Sequence, residues 1–109
     1  MTATHTHTQT FVYPRVFTGY RPSPPAEYRA QGAANAPDEP QYEGAMFSDG
    51  TVVIRWLTEY RSHSVWACWD DFYKIHGHPE YGTVIDWGDG GDAPCLGVCW
   101  PAGVITVTA

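Results

Sequence analysis

The hydrophobic rhythm of the chain changes twice between residues 42 and 87. From Gly44 to Leu57 the period is two: Val52, Ile54 and Trp56 fall on one face of an extended strand, Val53, Arg55 and Leu57 on the other. The first set is uniformly apolar and predicts a buried face. Arg55 predicts that the opposite face is partly wet or meets a partner. Ser48-Asp49-Gly50 supplies the positive φ of a tight turn, so residues 42–57 read as a hairpin. From Val65 the period becomes 3.6. Val65, Cys68, Trp69, Phe72, Ile75 and His76 form one stripe, with Ala67, Asp70, Asp71 and Lys74 opposite. This predicts a helix over about 65–76, capped by Ser64 or Ser62 and ended by a left-handed Gly77 and by Pro79. Asp70 and Lys74 make a favourable i,i+4 pair. Period two returns at Thr83–Trp87, a strand with Thr83, Ile85 and Trp87 on one face.

Outside this stretch the pattern is looser. Residues 9–18 are β-prone, and Pro14 places that strand at an edge or a bulge. Residues 19–41 carry five prolines and read as a long loop or arm, with a short extended piece at Tyr28–Ala30. Residues 86–94 are a turn-rich break, residues 95–100 are apolar, and Val104–Thr108 reads as a last strand. Residues 1–8 have little to bury and are expected to be mobile unless something holds them. One apolar helix stripe needs one apolar sheet face. The fold class predicted is therefore α+β, an antiparallel sheet of about four or five strands packed on one helix, in a single domain over residues 1–109.

Composition narrows the function more by exclusion than by assertion. A net charge of −6 with six scattered basic residues argues against nucleic-acid backbone as a partner. The N-terminus lacks a basic start followed by an apolar run, and no apolar stretch is long enough to span a bilayer, so no membrane is expected. Three cysteines do not make a disulfide framework, and a reducing, cytoplasmic setting fits. Five Trp, seven Tyr and four Phe exceed what one thin core needs.

Candidate chemistry is sparse. His76 and His78 flank a glycine at a helix end and, with Glu80, could hold a metal in a small metal-dependent hydrolase; the competing reading is a helix-terminal imidazole and a turn residue. Cys95 and Cys99 are spaced C-x3-C, which fits small buried side chains better than a redox or zinc motif, although Gly97 would allow them to pair. Cys68 lies on the core stripe and reads as structural. Asp86, Asp89 and Asp92 sit in a glycine-rich segment that lacks calcium-loop spacing and reads as a polar turn. Glu43, Glu59 and Asp86 could meet in space, though nothing in the spacing requires it. His5 and His7 stand in the N-terminal segment. No cofactor motif occurs.

The elements FSDGT, RWL, RSHSVW and HGHPEYGTVIDW, over roughly residues 42–87, give the chain a further likeness. In this order they resemble small actinobacteriophage and prophage proteins that carry no agreed activity. The resemblance implies a phage origin and a role in blocking, redirecting or joining a protein, and it brings no functional residues with it. With no reaction motif and with aromatics to spare, the expected function is non-enzymatic: binding a host or phage protein, as a modulator of a host target or as a virion or assembly component. The expected location is the bacterial cytoplasm or the virion. The expected contacts are Trp66 and Tyr73 on the helix flank, Tyr81 after it, and Tyr20 and Tyr28 in the arm. Self-association through an open sheet edge is one form this binding can take.

Overall fold

A computed structural model describes residues 6–94 and 104–108, with side chains from residue 11 to residue 94. Two sheets are present among the described residues. β1 (Thr6–Thr10) and β7 (Val104–Thr108) form an antiparallel pair. The larger sheet is antiparallel throughout and runs in the order β5-β4-β3-β2-β6. Its strands are β2 (Arg15–Tyr20), β3 (Tyr42–Met46), β4 (Val52–Trp56), β5 (Ser62–Trp66) and β6 (Val84–Trp87). Two helices accompany them, α1 (Ala26–Ala30) and α2 (Trp69–His76), and a 3₁₀ turn covers Pro79–Tyr81. The class is α+β, as the rhythm of the sequence predicts.

The hairpin of β3 and β4 closes through Ser48, Asp49 and Gly50. Gly50 takes φ +91°, and Asp49 Oδ1 accepts the Thr51 amide at 2.9 Å. The alternation then sorts β4. Val52 and Ile54 are fully buried, with Trp56 packed against the same cluster, while Arg55 is exposed. α2 lays Trp69 and Phe72 over this face, where they meet Phe17, Tyr42, Met46 and Trp87. The rings pack mostly edge-on or tilted, as between Phe17 and Trp69 at 5.2 Å and Tyr42 and Phe72 at 5.6 Å, the arrangement aromatic quadrupoles favour.

The structure departs from the sequence reading at several joins. The helix begins at Trp69, not near Val65, and residues 62–66 form β5. The sequence SHSVW also alternates: Ser64 and Trp66 face inward, where the Ser64 hydroxyl accepts from both the Trp56 and Trp66 indoles, and His63 and Val65 face out. Residues 62–66 instead pair with β4, which a further helical turn would leave as the edge of the sheet. Ser62 and Ser64 therefore do not cap the helix, and Cys68 occupies the N-cap without a side-chain capping hydrogen bond. Gly77 is not the left-handed residue. It has φ −66°, and His78 takes φ +42°. Glycine is needed at 77 for room, since a Cβ there would strike the Tyr73 carbonyl and ring.

Residues 9–18 are split. Pro14 falls between β1 and β2, outside any ladder, and β2 lies inside the sheet between β3 and β6. Tyr28–Ala30, expected to be extended, belongs to α1. Cys68 is buried as expected but is disulfide-bonded, contrary to the expectation of reduced thiols, and its partner lies outside the described residues. Cys95, Cys99, His5 and residues 1–5 also lie outside them.

Candidate functional site

The strand register brings together side chains that are far apart in sequence. On the sheet face away from α2, Val65 stands opposite Val53, Val53 opposite Ala45, and Ala45 opposite Val16. Directly opposed residues project to the same side. An apolar row therefore crosses four strands, and its outer members are well exposed, Val16 at 58% and Val65 at 68%. Phe47, just past β3, is also exposed. The next row is polar: His63, Arg55, Glu43, Thr18 and Asp86 lie opposite one another across all five strands. Arg55 and Glu43 approach to 3.9 Å with both side chains half exposed. Between the rows the face is dished, with a depression of about 470 Å³ that includes Val16, Ala45, Val53, Glu43, Arg55 and Asp86. Glu43 and Asp86 share a row but flank Thr18 on separate strands, while Glu59 lies in the loop beyond β4 with its amide bonded to the Gly32 carbonyl.

The residues expected to meet a partner fall into three places. Trp66 and Tyr73 are half-buried and packed against the core, with the Trp66 ring 6.3 Å from Phe72. Tyr20, half-buried, ends β2 opposite Val84 on the open face. Tyr28 and Tyr81 touch each other edge-on at 6.4 Å, joining α1 to the 3₁₀ turn, and Tyr28 is exposed. Residues 19–41 are tied to the body here and elsewhere. Ser23 donates its amide to the Tyr81 carbonyl, and the Asn35 side chain donates to the carbonyls of Pro40 and Leu57.

The histidine pair separates. His78 stacks on Tyr81 at 4.4 Å and bonds through Nδ1 to Glu80 Oε1 at 2.7 Å, which holds the Glu80 carboxyl below its usual range. The His76 ring instead sits against Trp56 and Trp66, and burial, then the nearby Arg21 charge, lowers its pKa. Among the described residues no three of His, Cys, Asp and Glu group closely enough to hold a metal ion.

Asp89, from the glycine-rich turn, has a structural task. It forms a two-pronged ion pair with Arg15, Nε to Oδ2 at 2.7 Å and Nη2 to Oδ1 at 3.0 Å. The Arg15 guanidinium is fully buried between the rings of Phe11 and Trp87, and it also donates to the Asp92 carbonyl. The Arg15 bonds, chiefly, hold the Asp89 carboxyl at about 2. This clamp could not be read from local pattern, because its partners are 74 residues apart.

A five-stranded sheet with one face covered by a helix and the other left open among the described residues defines a small scaffold with a surface to offer. The chain resembles small phage proteins: residues 42–89, from β3 to just past β6, match the family model described as "Acb5 phage protein". The match covers less than half of the chain and includes α2 and four of the five strands of the larger sheet, β3 to β6. No curated protein and no solved structure matches. Among the described residues no helix is long and apolar enough to cross a membrane.

Proposed function

We propose that the chain is a non-enzymatic phage accessory protein that binds a protein partner through the open face of its sheet. The observation that carries this reading is the row Val65, Val53, Ala45 and Val16, whose outer members stand in solvent beside a charged row. An apolar strip bordered by polar groups is how protein interfaces are commonly built. Tyr20 stands on the same face and extends the contact; Tyr28 and Tyr81 offer a second, smaller aromatic patch. Trp66 and Tyr73 spend much of their surface on the core, so the open face takes the larger share. β5 ends the sheet, paired only with β4 among the described strands, and a partner strand or a second copy could extend it there.

The role is to modulate a host target or to join a virion or assembly complex. The site of action is accordingly the cytoplasm of the bacterial host, expected to be actinobacterial, or the particle. The test is affinity capture with crosslinking in that host, using the native chain, a V16D/V65D double variant and an I75D control on the exposed side of α2. One protein retained by the native chain and the control but lost by the double variant supports the reading. Capture unchanged by the double variant, or no specific protein together with a monomer in solution, overturns it. Growth arrest on expression identifies the modulator role, and detection in purified particles the structural one.

A further inference from the structure

On the opposite side of the sheet, beside the C-terminal end of α2, a second recess of about 290 Å³ opens between Arg21, Trp56, Thr58, Tyr60, Ser62 and His76. Arg21 is its unusual member. Its side chain follows the inward-facing alternation of β2 and the residue is only 9% exposed. The ion pairs among the described residues engage Arg15, Arg55, Lys74 and His78, and none reaches Arg21. Nη2 donates to the His76 carbonyl at 2.7 Å, and Nε is sealed from solvent with no acceptor. The rings of Trp56, Tyr42 and Tyr81 lie 5.5, 5.8 and 5.9 Å from the guanidinium carbon.

These neighbours ease the charge without balancing it. At 5.5 to 5.9 Å the rings stand near the outer limit of cation–π attraction. Taking a guanidinium out of water is costly unless an anion balances it. The Glu80 carboxylate is exposed and bonded to His78. Burial lowers the Arg21 pKa, and His76, also on the recess wall, is itself held toward the neutral form. The recess thus holds one positive charge and no negative one. The Ser62 hydroxyl lies along its wall and can donate, the Thr58 hydroxyl donates to the Tyr60 carbonyl at 3.4 Å, and Trp56 and Tyr60 provide ring surface. The Gln41 amide, also on the wall, is already engaged with the Asn35 amide and the Ala33 carbonyl.

The geometry points to a binding site, in this recess, for a small molecule that carries an oxyanion on a flat apolar body, the oxyanion facing Arg21 and the body lying against Trp56 and Tyr60. A carboxylate and a phosphate share the required chemistry, since both accept from a guanidinium N–H and from a hydroxyl. Tyr60 is 70% exposed and closes the outer wall, so it contacts the ligand without supporting the fold.

Titration calorimetry on the full chain distinguishes the sources, using benzoate for carboxylates, phenyl phosphate for phosphates, and benzyl alcohol as the neutral analogue. One or both anions should bind saturably, with benzyl alcohol at least about tenfold weaker, the loss of one charge-assisted contact. Arg21→Gln should weaken the anion by about tenfold or more. Because that change alters a buried group, Y60A and S62A are measured beside it. Each should weaken binding several-fold while leaving the unliganded melting temperature within about a degree, as exposed positions do. The site is refuted if neither anion binds at millimolar concentration, if benzyl alcohol binds as well, or if Y60A and S62A leave anion binding unchanged.

Discussion

The two faces of the five-stranded sheet are written by the same alternating strands and have opposite fates. On β4, Val52 and Ile54 disappear under α2, while Val53 and Arg55, one residue along, remain on the bare side. The buried face is aromatic: Phe17, Tyr42, Trp69, Phe72 and Trp87 share one cluster. The bare face uses small β-branched groups and charges. Large rings fill the volume between a sheet and a single short helix, and valines make a shallow strip that another surface can cover. Stability should therefore reside in the first face and recognition in the second.

The largest effect should come from the buried side. Phe72 is fully buried at the centre of the ring cluster. F72A should cost about 3–5 kcal/mol, the range for emptying a large aromatic site, and leave a marginally folded chain. Urea denaturation followed by tryptophan fluorescence measures it. A loss below about 1 kcal/mol would mean that α2 does not seal the sheet and that the faces are not distinct.

An intermediate effect should come from the clamp at the end of the sheet. D89N removes the carboxylate that balances the fully buried Arg15 guanidinium. Asp89 is itself 40% exposed, so solvent screens part of the attraction, and the expected loss is about 1–2 kcal/mol. The pH dependence fixes the cause. The Asp89 carboxyl is lowered from 3.8 to about 2 in the folded chain. A depressed folded pKa contributes stability that is complete above the unfolded value and fades as pH falls through the folded one. The gap between the native chain and D89N should be full at neutral pH and close progressively from about pH 4 to pH 2. A gap that persists at pH 2 would assign it to packing instead.

The legibility of each face follows from the range of the interactions that make it. The buried face is mostly local: Asp-Gly closes the hairpin, alternation selects Val52 and Ile54, and Trp69 and Phe72 fall on one helical stripe. The misreading was also local. Val65, Trp69, Phe72 and His76 fit a helix, serines serve as caps as readily as strand residues, and SHSVW has a polar inward set that hides its period of two. The bare face was legible at one strand, where Arg55 beside Val53 indicates a side that is wet or meets a partner. The row itself was not, because Val65, Ala45 and Val16 become neighbours only through the registers of three strand pairs. Arg15 with Asp89, and Arg21 with the His76 carbonyl 55 residues away, are long-range in the same sense.

A small stability effect and a large functional one should coincide on the bare face. V16T and V65T keep β-branched shape at exposed strand positions, so each should change stability by no more than about 0.5 kcal/mol. The pair should nevertheless weaken partner capture, because the hydroxyls must be desolvated in the contact. Thermal melts beside quantitative capture separate the two quantities. Equal losses in both would reduce the open face to a part of the fold.

The smallest effect is expected at the Glu43–Arg55 pair, and it sharpens the comparison most finely. The groups are 3.9 Å apart and half exposed, in the polar row beside the valines. An exposed pair of this kind contributes about 0–1 kcal/mol and is screened by salt. E43Q should therefore leave the urea midpoint nearly unchanged, and the little it costs should vanish in high salt. Its consequence for binding should differ in kind. Charges at the rim of an interface act on the rate of encounter more than on the lifetime of the complex. With a captured partner immobilised, E43Q should alter the association rate and its salt dependence while dissociation stays as in the native chain; V16T with V65T should do the reverse. If E43Q instead speeds dissociation as strongly as the valine changes, the polar row lies inside the contact, and the interface extends across the strands from Val65 toward Asp86.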